Sequence, residues 1–365
     1  VGWRILGTEP DSIAFNVCRN GIRVNEAPIT DSTSFVDDRG SGDATYTVCA
    51  VLDGSQTAPS KPARVWKQNY LTIPLRTPEG YRPNDASVGD LDGDGAYEIV
   101  LHQAGRSRDN ASRGLTDPPI LEAYRLDGTC LWRIDLGRNI REGAHYTQFM
   151  VYDLDGDGRA EVACKTADGT VDGTGKVIGD PNANWVNRDG KILDGPEFFT
   201  IFDGLTGAAV VTTDYIPPRG DISGWGGVGG NGSNDNNGNR VDRMLACVAY
   251  LDGTRPSVVM CRGYYGRSVL AAWDWRDGRL TSRWVFDSAT PGLEKYSGQG
   301  NHNLTVADVD ADGRDEIIYG SMCVDDDGTG LYSTDLRHGD AMHVSDLDPA
   351  RGGLEVWGIH ENEVV

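Results

Sequence analysis

One nine-residue pattern, Asp-x-Asp-x-Asp-Gly-x-x-Glu, occurs three times in this chain, each time between two short apolar runs. The first copy supplies Asp90, Asp92, Asp94 and Glu98, and the second Asp153, Asp155, Asp157 and Glu161. The third supplies Asp308, Asp310, Asp312 and Glu316. The flanks carry β-branched residues, such as Ile99-Val100 and Ile317-Ile318, as strands do. Two weaker copies lie around Asp252 and around Asp346 and Asp348, the latter followed by Leu354-Glu355-Val356. A second kind of turn follows three of these units, at Asp127-Gly128, Asp203-Gly204 and Asp277-Gly278. Two hairpins per unit make four strands per unit. Repeated four-stranded units with Gly-rich turns predict a β-propeller, and no helical period interrupts them. The expected fold class is therefore all-β. About four and a half units are present, with a weak outer hairpin after Tyr319, and an open propeller would leave an unpaired strand edge. The expectation is a fragment truncated at both ends, since Val1 is no initiator Met and Val365 follows a single hairpin.

The acidic loops have a chemical reading. Asp at positions 1, 3 and 5, a carbonyl at 7 and Glu at 9 aim hard oxygens at one point, which suits Ca²⁺. A helix-loop-helix calcium site would need Glu at position 12, where this chain has Leu101, Cys164 and Tyr319. The flanks are strands, so the loops resemble the calcium hairpins of integrin-type repeats. A solvated polar turn is the simpler alternative, and three full copies argue against it. It is preferred only at Asp252, which lacks the other acids; Asp346, Asp348 and Glu355 are expected to form a fourth, degenerate site.

Residues 1–66 read differently, as short alternating strands at Trp3-Arg4-Ile5-Leu6, Ile13 to Val17 and Tyr46 to Val51. Asn20-Gly21 and Asp53-Gly54 supply hairpin-turn chemistry. We expect a fibronectin type III-like β-sandwich without its first strand, then a linker at 67–83 and the propeller at 84–365. The stretch 56–67, with Pro59 and Pro62, also reads as connecting chain. Seven scattered cysteines include no CxxC pair and read as buried hydrophobes, although Cys18 and Cys49 could pair across neighbouring strands. With 55 Asp plus Glu against 34 Lys plus Arg, the net charge is −21. Nucleic acid and anionic membrane are therefore not expected partners, and no run of 18 apolar residues suggests a transmembrane helix.

Strand parity says where activity could sit. In an antiparallel meander the calcium loops and Asp-Gly turns share one face, and the longer connections 103–119, 165–197, 215–243, 262–267, 288–303 and 331–342 share the other. Function tends to live on such loops. The loop face carries Lys165, His145, Arg219, Arg262, Tyr264 and Tyr265 as candidate acid/base or sugar-contacting groups. For Lys165 a structural ion pair is an equal alternative. For the two tyrosines, stacking on sugar rings is preferred to proton transfer.

The same connections carry specific words: Asn84-Asp85-Ala86-Ser87-Val88-Gly89-Asp90, Gly143-Ala144-His145-Tyr146-Thr147-Gln148-Phe149 and Lys165-Thr166-Ala167-Asp168-Gly169-Thr170. Further ones are Asp194-Gly195-Pro196-Glu197, Asn239-Arg240-Val241-Asp242-Arg243, Arg262-Gly263-Tyr264-Tyr265 and Gly298-Gln299-Gly300-Asn301-His302. Through them the whole chain resembles the rhamnogalacturonan lyases of polysaccharide lyase family 11. The resemblance implies an eight-bladed, calcium-loaded propeller and a secreted, extracellular bacterial enzyme acting on rhamnogalacturonan I, expected as a monomer. It also implies a cleft Ca²⁺ held by His302, His338, Asp340 and Glu361. Read on its own, a two-His, two-carboxylate set would suggest a transition metal. Parity independently puts these four residues on the loop face. Asn84 matches the family's sugar-binding Asn, whereas a second sugar-binding position, an Asp in the family, falls near Ala104 here.

The implied reaction is β-elimination at C4 of galacturonate, in which the C5 proton beside a carboxylate must be removed. The resemblance and the loop-face position make Lys165, Arg262 and His145 the catalytic candidates, and Asn84, Arg219, Tyr264 and Tyr265 the substrate-binding ones. The competing reading is a non-catalytic, calcium-stabilised propeller that binds polysaccharide. A hydrolase of the same specificity would need a carboxylate pair on the loop face.

Overall fold

Asn20 and Gly21 both take positive φ (50° and 80°), as do Asp53 and Gly54 (48° and 76°). That pairing matches the right-handed twist of two adjoining strands. The computed structural model, which describes residues 1–5, 9–10, 12–226 and 237–361, accordingly closes a hairpin at each. Two compact units result, at 1–73 and 74–365. In the first, Thr45–Leu52 pairs with Ala14–Arg19 and Ser55–Gln56, and Ile22–Arg23 flanks Ala14–Arg19. Val17, Ala44 and Tyr46 form its core beneath Trp3, Val24, Ile29 and Phe35.

Three expectations for this unit need correcting. Trp3 to Ile5 is not a strand, only Gly2 bridging Ser34, and Leu6 lies outside the described residues. The stretch 56–67 is not free connecting chain, because Ala63–Arg64 pairs with Thr45–Leu52. Cys18 and Cys49 lie on paired strands but out of register, Cys18 opposite Thr47, and both are free thiols.

The second unit starts its first strand at Arg82, two residues earlier than the sequence suggested. Its strands form four sheets and a final hairpin. In the first sheet, Arg82–Gly89, Glu98–Ala104, Ile120–Tyr124 and Cys130–Asp135 run as an antiparallel meander, extended by Thr170–Val171 and Val177–Ile178. The second sheet comprises Phe149–Tyr152, Glu161–Ala167, Glu197–Phe202 and Ala209–Asp214. The third comprises Met244–Ala249, Ser257–Arg262, Val269–Arg276 and Arg279–Asp287. The fourth has Thr305–Ala307, Glu316–Ile318, Met322–Val324 and Gly330–Ser333, so the outer hairpin after Tyr319 does form. Gly339–Ser345 and Glu355–His360 pair as the hairpin. The fold is all-β. Among the described residues, the helical elements are two 3₁₀ turns, at Ile222–Trp225 and Glu294–Tyr296. Among the described residues no helix is long and apolar enough to cross a membrane.

Alternation along each strand sends apolar side chains to both faces, and each face meets the next sheet. Leu121, Ile134, Val162 and Phe202 join the first sheet to the second. Phe199, Ile201, Met260 and Trp273 join the second to the third. Leu270, Phe286, Ile317 and Met322 join the third to the fourth, and Ile318 and Met342 continue to the hairpin. Each such side chain, fully buried, stabilises the fold by about 1.5–3 kcal/mol. Two tryptophans add a polar clasp between sheets: Trp132 donates to the Gly204 carbonyl (2.7 Å) and Trp284 to that of Asp326 (2.7 Å). Stacking of this kind leaves the hairpin turns on one side of the sheets and the long connections on the other. Residues 227–236 of the connection 215–243 lie outside the described residues.

Candidate functional site

The three acidic loops fold alike. The ninth-position glutamate turns inward, and one of its oxygens accepts from a loop backbone N–H: Leu91 to Glu98 (2.9 Å), Leu154 to Glu161 (2.9 Å) and Val309 to Glu316 (2.6 Å). Carboxylate oxygens of Asp90, Asp92 and Asp94 then lie within 4.8 Å of one another, as do those of Asp153, Asp155 and Glu161, and of Asp308, Asp310 and Glu316. Glu98 stays outside the first group. Asp157 and Asp312 stay outside theirs, each taking up its own turn's N–H from Arg159 and Arg314. Burial, then the neighbouring aspartates, push Glu161 up to about 8 and Glu316 up to about 7, and Glu98 upward as well. Such crowding of carboxylates is unfavourable unless a cation sits among them. The degenerate loop differs: Glu355 accepts from Leu347 and Asp348, but Asp346, Asp348 and Glu355 do not close to ligand distance.

On the opposite side, three of the candidate cations converge on one carboxylate. Glu197 Oε1 is 2.7 Å from Lys165 Nζ, 2.9 Å from Arg219 and 2.6 Å from Arg262. Arg262 also donates to the Pro217 carbonyl (2.9 Å) and is wholly buried, while Lys165 and Arg219 are nearly so. Asp242 lies 4.0 Å from Arg219, so three buried cations face two buried acids. Burial works against the Glu197 charge, but Arg262, Lys165 and Arg219 outweigh it and hold its carboxyl well below the usual range. Burial pulls Lys165 downward, against Glu197. Lys165 and Arg262 were expected on the loop face, Lys165 with a structural ion pair as an equal alternative; at the ends of the strands Glu161–Ala167 and Ser257–Arg262 both are buried in this ion cluster, which for Lys165 is that alternative. Arg219 is bound up in the same way.

The four residues implied as cleft ligands do come together. Ligand atoms of His302, His338, Asp340 and Glu361 lie within 4.8 Å of one another. His302 Nε2 is 3.7 Å from Asp340 and His338 Nε2 is 3.9 Å from Glu361. The tautomer of His338 follows from its partner. Its Nδ1 lies 2.5 Å from the Gly300 carbonyl, which can only accept, so Nδ1 carries the proton. That leaves Nε2 as a bare lone pair, buried and without a hydrogen-bond partner. A buried acceptor in that state is costly unless something electrophilic meets it, and metal-binding histidines are oriented in this way. His302 is held by Tyr264 Oη at Nδ1 (3.3 Å) and Tyr265 Oη at Nε2 (3.1 Å).

His145 completes the cluster, its Nδ1 3.3 Å from Tyr264 Oη and its ring centroid 5.3 Å from that of His302. Burial first, then Arg243 and His302, bring it down to about 4. Tyr264 is fully buried between these rings and has no face free to stack on a sugar; it is a shared hydrogen-bond centre instead. Tyr265 is partly exposed, with its ring 4.1 Å from that of His338 and beneath the Arg240 guanidinium at 4.3 Å. Arg243, over Tyr265 at 5.2 Å, had no assigned role, although the word Asn239-Arg240-Val241-Asp242-Arg243 contained it. Asn84 is exposed and 3.2 Å from His102 Nδ1, whose Nε2 meets Glu142 at 2.9 Å. Ala104, at the position of the family's second sugar contact, is buried.

Sequence comparison closes the question of family. Residues 70–365 match the C-terminal domain of rhamnogalacturonan lyase family 11, and residues 1–66 match the rhamnogalacturonan I lyase beta-sheet domain. The chain belongs to rhamnogalacturonan lyase family 11. Among family relatives, it is 58% identical to the rhamnogalacturonan exolyase YesX of Bacillus subtilis, over 99% of this chain and 60% of that protein. It is 55% identical to the rhamnogalacturonan endolyase YesW of the same organism, over 100% and 59%. The chain thus spans about three-fifths of the length of these relatives. Its fold superposes on the crystal structure of exotype lyase YesX with a TM-score of 0.88, covering 99% of this chain and 60% of that one. A Bacillus licheniformis rhamnogalacturonan lyase of the family gives 0.87 at 57% identity, covering 99% and 62%.

Proposed function

We propose that this protein is a rhamnogalacturonan lyase that cleaves rhamnogalacturonan I by calcium-dependent β-elimination at C4 of galacturonate. The observation that carries the reading is the unpartnered, buried Nε2 of His338 among His302, Asp340 and Glu361. These residues fit a resident divalent cation; the two carboxylates are the hard ligands Ca²⁺ takes, and the family resemblance, against the preference of the imidazoles for a transition metal, is what selects Ca²⁺. When bound, the ion would neutralise the uronate carboxylate and so acidify the C5 proton. The chain's own residues supply the rest. Tyr264 and Tyr265 fix the ring of His302, and Gly300 fixes that of His338. His145, held by Tyr264 and half-buried where Lys165 and Arg262 are buried, is the candidate proton acceptor. Lys165 and Arg262 act at one remove, in the buried ion cluster. Tyr265 and Asn84 offer exposed surface for sugar.

The finer architecture belongs to the same proposal. We read the four sheets and the terminal hairpin as blades of a propeller that would hold eight in all, supported by first strands that touch from each sheet to the next. Residues 1–66 we read as a fibronectin type III-like sandwich, supported by its sheet and the covering segment around Ile29 and Phe35. The acidic loops we read as structural Ca²⁺ sites, and the protein as an extracellular monomer, since a polysaccharide of this size is met outside the cell.

The test is incubation with rhamnogalacturonan and Ca²⁺, following the near-UV absorbance of the unsaturated uronide. A rise that disappears on homogalacturonan supports the proposal. Retained polymer binding without any rise would leave the binding-module reading instead, and saturated ends would indicate a hydrolase.

A further inference from the structure

Three connections meet around a hollow that none of the residues of the cation cluster lines. It holds about 340 Å³, between Arg106 and Leu115 of the connection 105–119, Arg138 of 136–148, and Asn184, Asn187 and Ile192 of 168–196. Ligand sites run from about 300 to 1,000 Å³, so this one has room for a single sugar ring. Leu115 and Ile192 give it apolar surface for the C–H face of a pyranose. Three of its side chains carry donors without a partner. Asn184 Oδ1 accepts from the Val186 N–H (3.2 Å), and Asn187 Oδ1 from Asp189 (2.9 Å) and Lys191 (3.0 Å). Each carbonyl is used by its own turn, which leaves each amide N–H₂ unpartnered among the described residues.

The third donor is a guanidinium. Arg106 is matched by Asp117 at 3.0 Å, but Arg138 is exposed and has no ion pair or hydrogen bond among the described residues. In a chain of net charge −21, an unmatched guanidinium beside two free N–H₂ groups selects an anion, and a carboxylate fits its fork. The donors are also held in place. Gly114 donates to the Asp189 carbonyl (2.8 Å), which ties the first connection to the third. Buried Asn139, next to Arg138, donates to the Ala183 carbonyl (3.0 Å) and accepts from the Trp185 N–H (2.8 Å), fixing the chain on either side of Asn184. A wall ordered in advance loses less freedom when a ligand binds.

We propose that this hollow is a subsite for a galacturonate unit of the polysaccharide, separate from the cation cluster. Arg138 takes the uronate carboxylate, and the amides of Asn184 and Asn187 donate to oxygens of the same sugar. The proposal rests on the reading of the protein as one that acts on rhamnogalacturonan. It adds a second way for an acidic protein to meet an acidic polymer, besides the ion of the cleft.

The experiment measures dissociation constants for rhamnogalacturonan oligosaccharides and for the same oligosaccharides with their carboxyls reduced to alcohols. Arg138→Gln, Asn184→Asp and Asn187→Asp are each compared with their parent in a His338→Ala background, so that ligand is bound and not consumed. Arg138→Gln should weaken binding of the charged oligosaccharides by about tenfold and leave binding of the reduced ones unchanged. Asn184→Asp and Asn187→Asp keep the oxygen that caps each turn, so both should fold. Each replaces a donor by a repelling carboxylate and should weaken charged binding by about tenfold as well. Melting temperatures should stay at the parent's value. Unaltered charged binding in Arg138→Gln overturns the proposal. So does equal weakening on both ligands, or a fall in melting temperature that accompanies the loss, since either marks a merely structural residue. Release of unsaturated uronide in the His338→Ala background would contradict the reading of the cleft, while the ratio of dissociation constants would still decide the subsite. A parent that binds neither ligand overturns the polysaccharide reading and the proposal together.

Discussion

The buried ion cluster makes an asymmetric prediction. Lys165, Arg219 and Arg262 face Glu197 and Asp242, with every one of these side chains at most 7% exposed, so solvent screens little of the interaction. Glu197→Gln leaves three buried cations with a single acid. Breaking a buried pair in this way costs about 3–5 kcal/mol. Lys165→Met instead leaves two arginines against two carboxylates, a balanced set. It loses one charged hydrogen bond, about 1.5–3 kcal/mol, but also relieves the desolvation of a buried ammonium. Glu197→Gln should therefore be the worse variant by about 2 kcal/mol, and its urea midpoint should fall by about 1 M. The pH dependence follows from the same charges. Glu197 is held below its ordinary range when folded, so its contribution is complete above the unfolded carboxylate pKa, about 4.3, and is lost as pH falls toward the folded value. Glu197→Gln should flatten that acid limb. Urea unfolding of both variants from pH 3 to pH 7 is the assay. A Lys165→Met variant as unstable as Glu197→Gln, or an unchanged acid limb, would refute the reasoning.

Tyr264→Phe removes the hydroxyl shared by His145 and His302 and should weaken cleft cation affinity by about tenfold, measured by calcium titration, with the number of bound ions unchanged. Gly300→Ala would place a Cβ 2.5 Å from the Tyr264 Cβ and 2.6 Å from Tyr319, so it should cost about 1–3 kcal/mol and disorder the cleft; thermal unfolding and calcium titration read both effects. Chelation should lower the melting temperature markedly, since each calcium site at a hundred times its dissociation constant adds about 2.7 kcal/mol.

The shared turn geometry of the acidic loops was legible because their residues recur at fixed spacing and the turns close on their own backbone N–H groups. The hairpin turns at Asn20-Gly21 and Asp53-Gly54 were legible for the same reason: positive φ selects its residues locally. His302, His338, Asp340 and Glu361 are 59 residues apart at their ends, and only the family resemblance pointed to them as a set. The ion pair weighed for Lys165 was legible as one of two alternatives, but its partner, and the burial of Arg262 on the same carboxylate, were not, because a strand sequence states its alternation but not where its end is buried. Glu197, 32 residues after Lys165, decides that, and the pairing of Lys165 with Phe199 brings it there. Tyr264 was mistaken for a sugar platform for a similar reason. The rings that bury it come from three separate connections, at His145, His302 and His338.

The central claim is that the lone pair of His338 Nε2 and its three neighbours hold the ion on which elimination depends. It is tested most directly by following unsaturated uronide release from rhamnogalacturonan by wild type and His338→Ala across a calcium titration, with bound calcium counted in parallel. The account predicts that His338→Ala folds, binds one ion fewer and releases no unsaturated product at any calcium concentration. Wild-type rates in His338→Ala, or an undiminished ion count, would contradict it.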